Sequence, residues 1–514
     1  MRLVGKRSGL LLAGVVATTA GAASADTLRD ALRRAYDSNP TVTGQRAAQR
    51  ATDENVPIAR AAGRPTVSAS SGVNENFLRG GNSFTSPERS LQAQIGLNVP
   101  VYTGGRVKNS VRAAEIRVDA GQANLRGVEA QLFTDVVSAY NNVLRDEAVV
   151  GLNAQNVRVL ETNLRASKDR FEVGDLTRTD VAQSEARLSL ARAQLQTAQA
   201  GLIGSRENYV RLVGTPPGTL DAPPQLPNLP TSPDAAVEIA LQNNPSLIAA
   251  RTARDATVYD VKAANAARLP QLGLTLGQSY SNFLGTLGAG QGYNGTQSGT
   301  ATAVGASVSL PIFQGGRPAA QIRQAQDLRE QAIEQATAAE RQVIANTRSA
   351  YAQWRSALEV IASAENAVAA NKLSLEGVRA ENSVGTRTIL DILNAEQELL
   401  NSQVTLVTAR RDAYVAGFAL LAAMGEAEAR DLGLEGGPLY DPSANYQRYR
   451  GSLSDFNTRL APSTPSATTA GVPAQDATVM RPLDPELQDN VDRSPALTTG
   501  SDTRRPEAAP PKPE

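Results

Sequence analysis

The residue types that most often carry chemistry are missing from this chain. Its 514 residues include no histidine and no cysteine. That removes His- or Cys-ligated metal sites, Ser-His-Asp triads and Cys-His pairs together. Carboxylates remain, but they form no convincing catalytic cluster in the sequence. There is also no phosphate loop of the form GxxxxGK followed by Ser or Thr, so any energy the chain uses must come from a partner. One polar pattern does recur. Val173-Gly174 leads to Asp180, and Val384-Gly385 leads to Asp391. Read locally, Gly is what a tight turn between helices needs, because it accepts the left-handed conformation. The aspartate is what the first turn of a helix favours. Nothing here predicts an enzyme or calls for a cofactor.

The elements that carry these residues follow from the rest of the sequence. Lys plus Arg equals Asp plus Glu at 51 each, so bulk charge argues for no nucleic-acid partner. Arg2, Lys6 and Arg7 precede an apolar stretch from Gly9 to Ala23, and Ala23-Ser24-Ala25 supplies a small-residue cleavage site. Residues 1–25 therefore read as an export signal, with the mature chain starting at Asp26. No later stretch approaches ~18 consecutive apolar residues, so any membrane crossing must be made by strands.

The chain is two copies of one pattern. Pro100, Gly104-Gly105-Arg106, Tyr140, Val173-Gly174, Asp180 and Glu185 recur 211 residues later as Pro311, Gly315-Gly316-Arg317, Tyr351, Val384-Gly385, Asp391 and Glu396. Asn39-Pro40 and the proline at 65 recur after 205 residues, at Asn244-Pro245 and Pro270. Each copy predicts a short helix, a helix of about 25 residues after Asn-Pro, two strands, a very long helix and a final helix of about 35 residues. The expected organisation is a first repeat over 26–214, a proline-rich linker over 215–233, a second repeat over 234–425 and an extension over 426–449. A Pro-, Ser- and Thr-rich tail over 450–514 is expected to be disordered.

Strands are expected near 66–78, 89–99, 271–284 and 300–311, each alternating apolar and polar residues. That alternation fits a membrane barrel, polar inside and apolar outside; it fits two soluble hairpins packed on helices equally well. Four strands cannot close a barrel, for which about eight are needed. A membrane reading thus demands several chains in one barrel. The final helices carry a heptad of Val181, Leu188, Leu195, Leu202 and Tyr209, repeated as Ile392, Leu399, Leu406, Ala413 and Leu420. Small residues hold the companion seam, which suits helices packed on two neighbours, as in a hollow cylinder, beside the plainer alternative of a solid bundle. At 1.5 Å per residue the long helix spans about 100 Å, and the 35- and 25-residue helices stacked end to end about 90 Å.

Over about Thr27 to Arg450 the chain resembles the TolC family of outer-membrane efflux proteins. The residues that carry the resemblance are Ser383-Val384-Gly385-Thr386-Arg387-Thr388-Ile389-Leu390-Asp391-Ile392-Leu393-Asn394-Ala395-Glu396, its weaker copy from Arg170 to Thr177, Pro311 to Arg317, and Leu439-Tyr440-Asp441-Pro442. The resemblance implies a mainly helical fold in which two tandem repeats supply a periplasmic α-barrel and four strands to a shared outer-membrane β-barrel. It implies a homotrimer in outer-membrane lipid, serving as the exit duct of an efflux pump or type I secretion system. Its partners would be a periplasmic adaptor and an inner-membrane pump of the ABC, RND or MFS type. By the same resemblance Val173, Gly174, Val384 and Gly385 match adaptor-docking positions. Asp391 matches the first acid of a ring at the closed aperture, while Asn394 stands where the second would be. Arg387 matches a latch arginine, Glu172 its acidic partner on the neighbouring turn, and Asn382 replaces the latch tyrosine. The alternatives are a periplasmic coiled-coil adaptor or scaffold with no pore, and a soluble helical fibre protein.

Overall fold

A computed structural model describes residues 26–77, 84, 86–227, 229–434, 439–458 and 465–488. The expected export signal lies outside them. The first repeat comprises α1 (Leu28–Ser38), α2 (Pro40–Ala61), β1 (Thr66–Glu75), β2 (Arg89–Tyr102), α3 (Arg106–Glu172) and α4 (Arg178–Val213). The second comprises α5 (Pro233–Asn243), α6 (Pro245–Asn265), β3 (Gln271–Asn282), β4 (Ser298–Ser309), α7 (Arg317–Ser383) and α8 (Ile389–Met424). A short α9 (Ala444–Tyr449) follows. Both ends of α3 and α4 recur 211 residues later in α7 and α8, so the offset read from the sequence is also the offset of the fold.

The Asn-Pro pairs show why the repeat is punctuated as it is. Asn39 Oδ1 accepts from the Thr41 amide at 2.9 Å and caps α2, with Pro40 in the first turn. Proline costs nothing there, since that amide has no helical partner. The Asn39 side-chain amide meanwhile donates to the Leu212 carbonyl at 2.9 Å and caps the end of α4. Asn244 repeats both bonds, accepting from the Ser246 amide at 3.0 Å and donating to the Ala423 carbonyl at 2.9 Å on α8. One side chain thus joins the two pieces of each stacked strut, with an orphan donor and an orphan acceptor satisfied at once.

The strands form one antiparallel sheet in the order β1-β2-β3-β4, so β2–β3 pairing fuses the two repeats. Register places Val67, Leu97, Leu276 and Val304 in one row across all four strands. The adjacent row on the opposite face is Thr66, Asn98, Thr275 and Gly305. Val67, Leu276 and Val304 of this row are 69%, 43% and 81% exposed, an apolar stripe that an aqueous sheet does not tolerate. β1 and β4 are both open edges within the chain. No helix among the described residues is long and apolar enough to cross a membrane.

The main core sits at the waist. There α1, the linker and residues 418–434 pack around the middle of α3 and the ends of α4 and α8. Buried Tyr140 places its hydroxyl 2.8 Å from the carbonyls of both Asp26 and Asp221. Its repeat mate Tyr351 donates to the Thr231 carbonyl at 2.7 Å. Each tyrosine therefore ties a long helix to the chain that wraps it.

The expected disordered tail from 450 onward is described in part, over 450–458 and 465–488. Residues 465–488 carry no helix or strand, yet they lie against the helices, with Leu487 only 3% exposed. This segment is held through its backbone carbonyls by long side chains of other elements, for example Gln403 to the Leu487 carbonyl at 3.0 Å. Residues 459–464 and 489–514 lie outside the described residues.

Candidate functional site

The two turns at the far end of the long helices, together with the start of α8, hold the candidate residues. Each turn is built the same way. Gly174 and Gly385 both take φ +83. In the first turn the Asp175 amide donates to the Arg170 carbonyl at 2.9 Å and the Gly174 amide to the Phe171 carbonyl at 3.0 Å. In the second, Thr386 donates to Glu381 at 3.1 Å and Gly385 to Asn382 at 3.0 Å. This pair of bonds defines a Schellman closure, which satisfies the last carbonyls of α3 and α7 and reverses the chain. Val173 and Val384 stand at the apex, 80% and 74% exposed, with nothing of this chain within contact of a Cβ added to either glycine. Two large apolar side chains, one per turn, are thus held out on rigid supports.

Asp391 opens α8 rather than standing free. Its Oδ2 accepts from the Thr388 amide at 3.0 Å and from the Thr388 hydroxyl at 2.8 Å. The Thr388 hydroxyl bond, followed by the amide, holds the Asp391 carboxyl below the usual carboxylate range. Asp180 makes the same capping box with Thr177 in the first repeat. Asn394, one turn further along α8, accepts from the Arg187 guanidinium of α4 at 2.6 Å. Arg379 of α7 reaches the buried Glu396 at 2.6 Å.

Arg387 is engaged inside its own turn. Its Nε donates to Glu381 Oε2 at 2.8 Å, and its carbonyl accepts from the Asn382 side chain at 2.8 Å. Glu172 stands exposed at the end of α3. The Schellman closure brings Arg387 back over the last turn of α7, so Glu381 is its partner within the chain. Sequence reading missed Glu381, although its place six residues before the arginine across a Gly turn was a usable signal. It also missed Arg187, for which no local spacing gives a clue, because its contact with Asn394 crosses from one repeat to the other.

The arrangement offers fixed charges, hydrogen bonds and apolar knobs at the end of a ~100 Å strut. Comparisons with known proteins agree with that architecture. The family model described as outer membrane efflux protein matches residues 31–215 and 236–426. The chain is 36% identical over 438 residues to the outer membrane efflux protein BepC of Brucella suis, covering 85% of this chain and 93% of that protein. It is 28% identical to the outer membrane protein TolC of Escherichia coli, covering 79% and 84%. Among solved structures, the outer membrane protein VceC of Vibrio cholerae has a similar fold, with a TM-score of 0.67 at 21% identity over 77% of this chain and 96% of that one.

Proposed function

The chain belongs to the outer membrane efflux protein family, non-enzymatic transport proteins of the outer membrane that extend into the periplasm, and from that premise we propose that it is a passive exit duct closed by three copies. The observation that carries the reading is the open-edged sheet with its exposed apolar row. In lipid an unpaired edge costs several kcal/mol per backbone group, so β1 must pair with β4 of another copy. Three copies supply twelve strands, above the roughly eight that a closed barrel needs. The helices then continue the barrel as a tube about 100 Å long. With no phosphate loop in the sequence, the duct conducts down a gradient and draws its drive from an inner-membrane pump. A periplasmic adaptor docks on the exposed Val173-Gly174 and Val384-Gly385 turns. Efflux and type I secretion both use such a duct, and relatives named for protease secretion and for metal resistance support this breadth of cargo.

At the tip, Asp391 lines the aperture while Asn394, held by Arg187, leaves the second position of the ring uncharged. Arg387 serves as the latch by exchanging Glu381 for Glu172 of the neighbouring turn. The deciding experiment is purification in detergent followed by planar-bilayer recording. A heat-resistant trimer giving discrete single-channel currents is expected. A monomer that stays soluble without detergent and passes no current would overturn the reading.

A further inference from the structure

The family match ends at residue 426, before the tail begins. Its path is nevertheless specific. Arg60 of α2 donates to the Arg450 carbonyl at 2.8 Å, Arg64 donates to the Ser452 carbonyl, and Thr43 at the other end of α2 lies 3.0 Å from the Ser466 hydroxyl. The described parts of the tail on either side of residues 459–464 thus lie at the two ends of α2. The Gln475 amide then donates to Glu207 of α4 at 3.0 Å, and the chain turns across the helices.

The crossing is anchored at both ends. Arg206 of α4 is 2% exposed. It donates to the Asp476 carbonyl at 2.9 Å, the Asp476 carboxylate at 3.1 Å, the Thr478 carbonyl at 2.7 Å and Glu147 of α3 at 2.6 Å. Three of these four acceptors among the described residues come from the tail. Leu483 lies over Gly151 of α3. At the other end Arg410 of α8 reaches Glu486 at 3.3 Å, Lys372 of α7 donates to the Glu486 carbonyl, and Gln403 of α8 donates to the Leu487 carbonyl. Leu487 enters the core that α7 and α8 share with Leu152. The nine steps from Gln475 to Asp484 reach about 30 Å when extended, and the turn closed by the Leu487 amide on the Asp484 carbonyl at 2.9 Å adds up to about 7 Å. Four helices spaced about 10 Å apart span about 30 Å between outer axes. The segment is therefore long enough to cross all four, with little slack. It crosses aslant, about 40 Å from the turn on α4 but only about 20 Å on α8.

We propose that the surface of Arg206, Glu147, Gly151, Gln403, Arg410 and Lys372 is a binding site for an acidic peptide segment anchored by a leucine, and that residues 475–487 occupy it to hold α7/α8 against α3/α4. This rests on the duct reading above. Widening the tip separates the two helix pairs, so the strap must release at one end. The end that releases is the α3/α4 one, where Asp476, Val479 and Met480 of the strap are exposed, while Leu487 stays buried in the core of α7 and α8.

The test uses the full-length protein in planar bilayers. A Cβ on Gly151 would stand 3.8 Å from the Leu483 Cβ, the mean separation in a disulfide. The chain has no other cysteine, so Gly151→Cys with Leu483→Cys locks the strap cleanly. The locked channel is expected to open about fivefold less often, the low end of an ordinary coupling, and to recover on reduction. A chain ending at Gly471 should open about fivefold more often, and a synthetic peptide of residues 472–488 should bind it and reverse the gain. Equal opening in the parent, locked and reduced channels sinks the restraint while leaving the duct intact. If the parent passes no current at all, the duct reading fails instead. Absence of peptide binding to the truncated chain, followed by fluorescence anisotropy, then removes the site as well. Should the truncated chain fail to assemble, the locked and reduced forms of the complete chain still decide the matter.

Discussion

At the scale of single residues, the repeated polar side chains each join two elements. Asn39 and Asn244 each cap the start of one helix and the end of another. Replacing either by Ala is expected to cost about 1–2 kcal/mol, more than an ordinary exposed cap, since a buried carbonyl also loses its donor. Thermal unfolding of each single variant measures this. Asp26 illustrates a pH effect. The hydrogen bond from Arg34 is the main cause that holds its carboxyl below the usual range. A depressed folded pKa gives stability that is present above the unfolded value of about 3.9 and is lost as pH falls through the folded value. Asp26→Asn should therefore lower the melting temperature at neutral pH and flatten its fall in acid, which melting curves between pH 7 and pH 2 would show. The recurrence of Asn-Pro and of Tyr140 in the sequence was visible at once. Its cause was not, because the bonded carbonyls of Leu212, Ala423 and Thr231 have no side-chain signature.

Helix ends that look alike in sequence differ in what surrounds them. Gly214 and Gly425 close α4 and α8 with φ +87 and +82. A Cβ at Gly214 meets only the Ser38 hydroxyl at 3.8 Å, whereas at Gly425 it would stand 2.4 Å from the Asn243 carbonyl oxygen. Gly214→Ala should cost about 1–2 kcal/mol for the left-handed backbone alone. Gly425→Ala adds a clash with rigid backbone and should cost at least about 1 kcal/mol more, in the range of overpacking. Denaturant unfolding of the pair decides this; equal losses would refute it. In the sheet, Val304→Lys on the apolar row should impair insertion by about 2–4 kcal/mol, whereas Ser307→Lys, on the opposite face of the same edge strand, serves as the comparison. Heat stability of the extracted trimer reports the difference. The alternation of β4 announced two faces, but only the register aligned Val304 with Val67, Leu97 and Leu276.

For the whole molecule, the latch reading gives a prediction of opposite signs. Arg387→Ala with Glu172→Ala should raise open probability in planar bilayers, because the closing pair is gone. Glu381→Ala should lower it, since Arg387 is then free for Glu172. A rise of similar size in both would remove the exchange from the account. The sequence by itself determined the tandem repeat, the long helices, the period-two strands and the Gly turns, because each is a local consequence of spacing and backbone preference. Family membership was legible for the same reason: the most specific residues are contiguous, from Ser383 to Glu396. Only the tertiary structure decided that β2 pairs with β3, that Arg187 reaches Asn394, and that a tail poor in apolar residues lies across four helices. Those contacts join side chains to backbone groups or link distant segments, and neither periodicity nor composition encodes which distant groups will meet.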